Sequence, residues 1–186
     1  MFDVERFVAK CRTALKEPSA ELAVKALVER AVADPGGVER ALGTPQWGEV
    51  ATLHHSDDLT ILKVIWAPGM SIYPHDHRMW AVIGLYGGRE DNTFYRRGPQ
   101  GLVRAGGKQI EIGDTAILGK DVIHAVANPL RRATGAIHVY GGDFFATPRS
   151  EFDPDTFEER PYDVENARRV FREANERLRR ESPSPS

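Results

Sequence analysis

The sequence predicts an all-β core, a small barrel of short strands, with helices before it and one helix after it. Three observations support this prediction. The 186 residues suffice for one domain with a sizeable core but not for two ordinary domains. Apolar positions recur at helical spacing near both ends of the chain. Between these ends, short apolar runs alternate with glycine, proline and asparagine, which is typical of all-β regions.

The composition is that of a soluble globular protein, with 41% hydrophobic and 28% charged residues and a formal net charge of −2. At this charge neither nucleic acid nor a membrane surface is an expected partner. No apolar stretch approaches the roughly 18 residues of a membrane-spanning helix, and the N-terminal MFDVERF lacks the features of a signal peptide. The single cysteine, Cys11, fits a reducing compartment. We therefore expect a cytoplasmic protein.

Residues 1–43 are predicted to form a helical segment that packs on the barrel. A first amphipathic helix runs from Val4 to near Pro18. Ser19 stands where an N-cap belongs, and a second helix follows until Asp34-Pro35-Gly36-Gly37 interrupts it. A short helical turn then continues through Leu42.

Residues 44–150 are predicted to form the barrel. Its short apolar runs predict eight strands, near Val50–Leu53, Leu59–Trp66, Ala81–Tyr86, Thr93–Tyr95, Gln109–Glu111, Thr115–Leu118, Ile123–Ala127 and Thr134–Tyr140. Loops are expected at Pro68-Gly69, Arg97–Gly107 and Gly141-Gly142. Eight short strands suit a small closed barrel.

Residues 151–186 are predicted to contain a C-terminal helix and a disordered tail, and to belong to the same structural domain. The helix begins at Asp163, and its glutamates precede arginines by four residues, as in Glu165 and Arg169. Because these charges can pair along the helix, they favour a solvated face over a nucleic-acid surface. The tail is the final SPSPS.

The segment from Gly69 to Gly88 carries two histidines, His75 and His77, two residues apart. In a strand, residues i and i+2 project from the same face, about 6.5–7 Å apart along the chain. This separation suits two ligands on one metal ion. A second segment supplies a third histidine, because Gly113 is followed by His124 and then by Asn128.

In order and internal spacing, these two segments are similar to the two motifs of the cupin superfamily. The resemblance implies a double-stranded β-helix, or jelly-roll barrel, with a metal ion held by His75, His77 and His124. Many cupins add a glutamate three or four residues after the second histidine, where this chain has Ala81 and Val82. Three neutral nitrogen ligands leave open positions on the metal, which indicates chemistry more than a structural role.

A three-histidine site without the glutamate resembles the thiol dioxygenases, the cysteine dioxygenase family and its bacterial relatives. The likeness spans about Leu59 to Gly142, and it includes His138 and Tyr140 in a Ser-x-His-x-Tyr-like array. It implies Fe²⁺ as the cofactor, a small thiol and O2 as substrates, and a sulfinic acid as the product. His138 and Tyr140 would be the catalytic pair, with the phenol as proton donor.

Three departures separate this chain from the family pattern. Ala136 replaces the serine that precedes His138, and Val82 replaces the cysteine that crosslinks to the tyrosine in animal enzymes. No arginine lies between Arg40 and Arg78, where the family has the one that binds the substrate carboxylate. The substrate is therefore left open, and a thiol carboxylate other than cysteine is one candidate.

Another residue must then bind the polar end of the substrate. The substrate-binding candidates are Tyr73, Lys63, Arg89 and Trp80, and further possibilities are Arg96, Arg97, His54, His55 and Met79. Each of these is also an ordinary core or surface residue by its sequence context.

Two other functions remain open. The same cupin site can act on a substrate that chelates through oxygen, giving carbon–carbon cleavage or isomerisation, or it can be a non-catalytic sensor of a metal or ligand. Imidazoles also accept nickel and zinc, so isolated protein can carry either metal. The expected partners are a small-molecule substrate and O2, in a monomer or a homodimer.

Overall fold

The computed structural model of the protein describes residues 1–99 and 101–181. Three helices open the chain, and their bounds are α1 Val4–Ala14, α2 Ala20–Val32 and α3 Pro35–Leu42. The Asp3 carboxylate caps α1 by accepting from the backbone N–H of Arg6, and Asp34 caps α3 in the same way through Gly37. A fourth helix, α4 Val164–Glu181, follows the strands. None of the helices within the described residues is long and apolar enough to cross a membrane.

The strands form two antiparallel sheets. Their bounds are β1 Glu49–His55, β2 Thr60–Trp66, β3 Ser71–Asp76, β4 Ala81–Gly87, β5 Arg89–Gly98, β6 Gly101–Glu111, β7 Thr115–Leu118, β8 Ile123–Ala127, β9 Thr134–Tyr140, β10 Ser150–Phe152 and β11 Glu159–Pro161. The first sheet has the order β1-β2-β9-β4-β7, and the second has the order β11-β10-β3-β8-β5-β6. The predicted fold class, a double-stranded β-helix with N-terminal helices and a C-terminal helix, is confirmed.

The central strands of the first sheet, β2, β9 and β4, are buried on both faces. Along β9, Ala136 and Tyr140 belong to the core between the sheets, whereas Ile137 and Val139 belong to a second core with the N-terminal helices. All seven residues of β9 are buried. This explains why the strand reads as a nearly continuous apolar run rather than an alternating one.

The structure differs from the prediction in the second sheet. The loop expected at Arg97–Gly107 is instead part of the long β5–β6 hairpin, whose strands are joined near Gly98 and Gly101. Most residues of β6 are exposed, so the polar sequence here reflects a solvated edge strand and not a loop. The eight strands predicted from apolar runs do not include β10, β11 or β3, although the predicted projection of His75 and His77 from one strand face presumes an extended chain at β3. The predicted disordered tail lies outside the described residues.

Helix α4 begins one residue after the predicted Asp163. Two charge pairs form along its surface, between Arg168 and Glu165 at 2.5 Å and between Arg169 and Glu173 at 3.8 Å. They differ from the predicted pairing of Glu165 with Arg169 but have the same consequence, which is a largely self-neutralised exposed face.

Candidate metal centre

The three predicted ligands lie together between the two sheets. His75 is on β3, His77 follows the end of that strand, and His124 lies directly opposite His75 on β8. The pairing of β3 with β8 shifts register between Ile72 and His75. With strictly alternating side chains, residues 72 and 75 would point to opposite faces of the sheet. Both line the interior cavity, so the register shift reorients the histidine pair.

Hydrogen bonds leave one ring nitrogen of two of these histidines free to bind a cation. His75 Nδ1–H donates to the carbonyl oxygen of Tyr73 at 3.0 Å, and His124 Nδ1–H donates to Asn92 Oδ1 at 2.7 Å. Both bonds place the proton on Nδ1 and leave the lone pair on Nε2. One ring nitrogen of each of the three histidines lies within 4.8 Å of those of the other two.

Burial keeps the three imidazoles neutral. It lowers the pKa of His75 to about 4 and lowers the pKa values of His77 and His124 well below the ordinary range. His77 Nε2 and His124 Nε2 face each other at 3.0 Å, and the buried His77 Nδ1 has no partner among the described residues. Facing lone pairs are stabilised by a shared cation, so these residues fit a divalent metal ion.

The predicted catalytic pair faces the same space from the first sheet. His138 Nδ1 lies 2.9 Å from Tyr140 Oη, and both side chains are buried. Burial lowers the pKa of His138 to about 3 and raises the pKa of Tyr140 above its usual range. The Tyr140 ring lies 5.0 Å from that of His77, measured between centroids. A neutral phenol that retains its proton therefore lies beside the three candidate metal ligands.

A cavity of about 340 Å³ connects these residues with the surface. Apolar side chains from both sheets, the loop after β9 and α4 form much of its wall, among them Leu62, Val64, Ile72, Val126, Phe144, Phe145, Val164 and Phe171. Its volume lies within the range of small-molecule sites.

Arg149 also lines this cavity and was missed in the sequence. Its guanidinium lies 3.9 Å from the ring centroid of Phe144 and 4.0 Å from that of Tyr162, and the residue is only 8% exposed. It donates to the Phe144 carbonyl oxygen through Nη1, but its buried Nε has no partner in the part of the chain that the structure describes. The only sequence signal is a basic residue directly after the run FFATP.

The four substrate-binding candidates lie outside the cavity wall. Lys63 is on the opposite face of β2 from Leu62 and Val64, where it pairs with Glu49 at 2.7 Å. Arg89 pairs with Asp91 at 2.7 Å. The two remaining candidates also lie elsewhere: Tyr73 lines a separate cleft beside α4, and Trp80 packs against the core beneath the N-terminal helices.

A buried carboxyl group, also missed in the sequence, lies behind the site. Glu90 is 0% exposed and accepts hydrogen bonds from Trp66 Nε1 at 2.8 Å and Asn92 Nδ2 at 2.9 Å. Burial raises the pKa of Glu90 to about 7, although the two hydrogen bonds lower it in part. Asn92 in turn accepts a hydrogen bond from His124. The carboxyl group of Glu90 therefore helps to orient one of the candidate metal ligands.

No family model matches the chain. Among solved structures, it is similar to a cupin family protein with a double-stranded β-helix fold from Methanocaldococcus jannaschii, with 11% identity over 54% of this chain and 84% of that chain and a TM-score of 0.45. A cupin superfamily protein from Desulfitobacterium hafniense gives 17% identity over 55% and 86% of the two chains, with a TM-score of 0.44. A recombinant oxalate oxidase in complex with glycolate gives 16% identity over 53% of each chain, with a TM-score of 0.41. At these values the likeness identifies no activity.

Proposed function

We propose that this protein is a non-haem iron-dependent thiol dioxygenase that converts a small thiol carboxylate into a sulfinic acid. The overall reaction is RSH + O2 → RSO2H, in which both oxygen atoms end on the sulfur. The observation that supports it best is one cavity wall that combines three neutral histidines, a buried phenol and a buried guanidinium. Iron(II) bound by His75, His77 and His124 would supply coordination positions for the thiolate and O2 and the electrons that activate O2.

The ligand set favours an anionic substrate. Three neutral imidazoles leave the charge of a divalent ion uncompensated, and within the described residues no aspartate or glutamate lines the cavity except Glu49. Glu49 is bound to Lys63 on the far side of the sheet. A substrate thiolate would therefore compensate positive charge on the metal ion that the protein leaves uncompensated.

Tyr140 is proposed to hold a proton beside the reacting atoms. Its raised pKa keeps the phenol protonated at neutral pH, and the contact of its hydroxyl with His138 Nδ1 fixes its orientation. Phe144 packs on the phenol ring at 4.4 Å between centroids. This packing restricts the ring and helps to exclude water.

Arg149 is proposed to bind the substrate carboxylate. A guanidinium held between two aromatic rings is already oriented, and its planar array of N–H donors matches a carboxylate. It would thus take the role that the absent arginine between Arg40 and Arg78 would otherwise have. The thiol end of one short molecule would then lie beside the three histidines, and its carboxylate end would contact Arg149.

The proposal is tested by oxygen consumption. Protein loaded anaerobically with iron(II) is offered thiols with and without a carboxylate, and O2 uptake is compared with sulfinate formation. We expect equal amounts of O2 consumed and sulfinate formed, with the highest kcat/KM for a thiol carboxylate. Tyr140→Phe should slow turnover about 100–10,000-fold at unchanged iron content.

Absence of O2 uptake with every thiol at full iron occupancy would contradict the proposal. Uptake only with a substrate that chelates through oxygen would indicate the cleavage chemistry of other three-histidine cupins. Ligand binding without turnover would indicate a sensor.

A further inference from the structure

The imidazole of His138 has an unpartnered side. Its Nδ1 faces Tyr140 Oη at 2.9 Å, but its buried Nε2 has no hydrogen-bond partner among residues 1–99 and 101–181. Ala136, two residues earlier on the same face of β9, has no hydroxyl that could bond to the ring. A buried polar atom without a partner destabilises the folded protein, so its presence here calls for an explanation.

The nearest carboxyl oxygen to that nitrogen belongs to β5 in the opposite sheet. Glu90 Oε2 lies 3.8 Å from His138 Nε2, and this same oxygen accepts from Trp66 Nε1. The distance is longer than a hydrogen bond, but such contacts often shorten when a site is occupied. The carboxyl group of Glu90 therefore faces the side of the imidazole that points away from Tyr140.

The second oxygen of Glu90 leads to the metal ligands. Glu90 Oε1 accepts from Asn92 Nδ2 at 2.9 Å, which turns Asn92 Oδ1 towards His124 Nδ1 at 2.7 Å. The carboxyl group thus selects the orientation of the amide, and the amide selects the tautomer in which His124 Nε2 carries a lone pair.

We propose that Glu90 is a positioning residue that orients both the Tyr140–His138 pair and the metal ligand His124. The proposal deepens the proposed function, because it presumes that Tyr140 donates a proton in the cavity. It also explains how the chain dispenses with the serine that precedes His138 in the thiol dioxygenases: a carboxyl group from the other sheet supports the imidazole instead.

The protonation state of Glu90 decides in which direction the chain of hydrogen bonds runs. A neutral Glu90 can donate to His138 Nε2, so that His138 Nδ1–H donates to Tyr140 Oη and the phenol proton is free to point into the cavity. An ionised Glu90 reverses both bonds, and the phenol then donates to His138. The titratable groups that influence Glu90, His138 and Tyr140 include Asp91, His75, Arg149 and Tyr162.

The first test uses the wild-type protein. In metal-free protein labelled with 15N-histidine, long-range proton–nitrogen spectra report which ring nitrogen of His138 carries the proton. At pH 6, below the pKa of about 7 for Glu90, we expect a proton on Nδ1 and none on Nε2. The same protonated nitrogen at pH values well below and well above the pKa of Glu90 would overturn the proposal, because the His138 tautomer would then not depend on Glu90.

The second test replaces Glu90 with glutamine, which keeps the shape but has no acidic proton. Because the glutamine amide does not titrate and cannot accept from both Trp66 Nε1 and Asn92 Nδ2, Glu90→Gln should make the His138 tautomer independent of pH, lower kcat about 10–100-fold and change KM for the thiol less than twofold. The control is Asp34→Asn, at a carboxyl group that accepts from Gly37 N–H at the start of α3 and lies outside the cavity wall. It should leave the His138 spectrum and kcat unchanged.

Equal losses in both variants would reduce Glu90 to a general structural role and contradict the proposal. If the wild-type protein oxidises no thiol, the proposed function fails, while the nitrogen spectra still decide whether Glu90 sets the His138 tautomer. The two failures are therefore distinguishable.

Discussion

Arg149 carries the substrate specificity that we propose. Removing a guanidinium from water is costly, and here the aromatic rings of Phe144 and Tyr162, a hydrogen bond with the Tyr162 side chain and one carbonyl oxygen offset part of that cost. A carboxylate ligand would supply the missing opposite charge. Binding of a carboxylate by Arg149 should therefore depend on the planar arrangement of the guanidinium N–H donors as well as on its charge.

We expect Arg149→Lys to raise KM for the thiol carboxylate about 10–100-fold, because a charged hydrogen bond contributes about 1.5–3 kcal/mol. A thiol without a carboxylate should be oxidised at nearly the wild-type kcat/KM. Arg160→Lys, at an exposed arginine that pairs with Glu158 at 2.7 Å, is the control. An equal loss for both kinds of thiol would show that Arg149 shapes the cavity rather than binding the carboxylate.

The residues of this site differ in how far the sequence could reveal them. His75 and His77 are adjacent in a motif, so their local spacing predicts convergence. Glu90 and Arg149 have no such signal, since their roles depend on partners that only folding brings close. The bond from Trp66 to Glu90 spans 24 residues, and that from His124 to Asn92 spans 32.

At the scale of elements, the contact between α2 and β4 determines how the N-terminal helices cover the first sheet. A β-carbon at Gly84 would lie 2.3 Å from Val28 Cγ1 and 3.0 Å from Val32 Cγ1. Valine side chains have little freedom to move away, since their branched β-carbons are rotamerically stiff. The absence of a side chain at residue 84 therefore permits the close approach of α2.

Gly84→Ala should lower the free energy of unfolding by about 1–3 kcal/mol, because overpacking forces the helix or strand to shift. Urea unfolding followed by circular dichroism measures this change. Gly119→Ala is the control, since a β-carbon there has no neighbour within 4 Å and its stability should change little. Wild-type stability in Gly84→Ala would mean that α2 is only loosely attached to the sheet.

Elements with a strong apolar pattern were predictable, and polar or irregular ones were not. The strands β2, β4 and β9 follow long apolar runs because both faces of these strands are buried. Strand β3 contains Pro74 and a register shift that breaks the alternation expected of a strand. The hairpin of β5 and β6 is polar and glycine-containing, so its sequence resembles a loop.

At the scale of the molecule, one interior contains buried titratable groups with opposite effects on stability. Burial depresses the pKa values of His75, His77, His124 and His138, so between pH 6.5 and each folded-state pKa the unfolded chain binds more protons than the folded one. Their contribution to stability is therefore lost as the pH falls below about 6.5. Glu90 acts in reverse, because its raised pKa makes the folded state bind more protons between about 4.5 and 7.

The four histidines and the one carboxyl group have opposite effects on the pH dependence of stability, and the histidines outnumber it. We therefore expect the free energy of unfolding of the metal-free protein to fall by at least about 3 kcal/mol between pH 6.5 and 4.5. Each pKa unit corresponds to about 1.4 kcal/mol. Urea titrations at successive pH values measure this profile. Glu90→Gln removes the carboxyl group whose raised pKa opposes the effect of the histidines. The free energy of unfolding of this variant should therefore fall more steeply below pH 6.5 than that of the wild type. A flat profile in both proteins would mean that the histidines are hydrated in the metal-free state, so that a bound metal ion, rather than the fold, closes this interior to water.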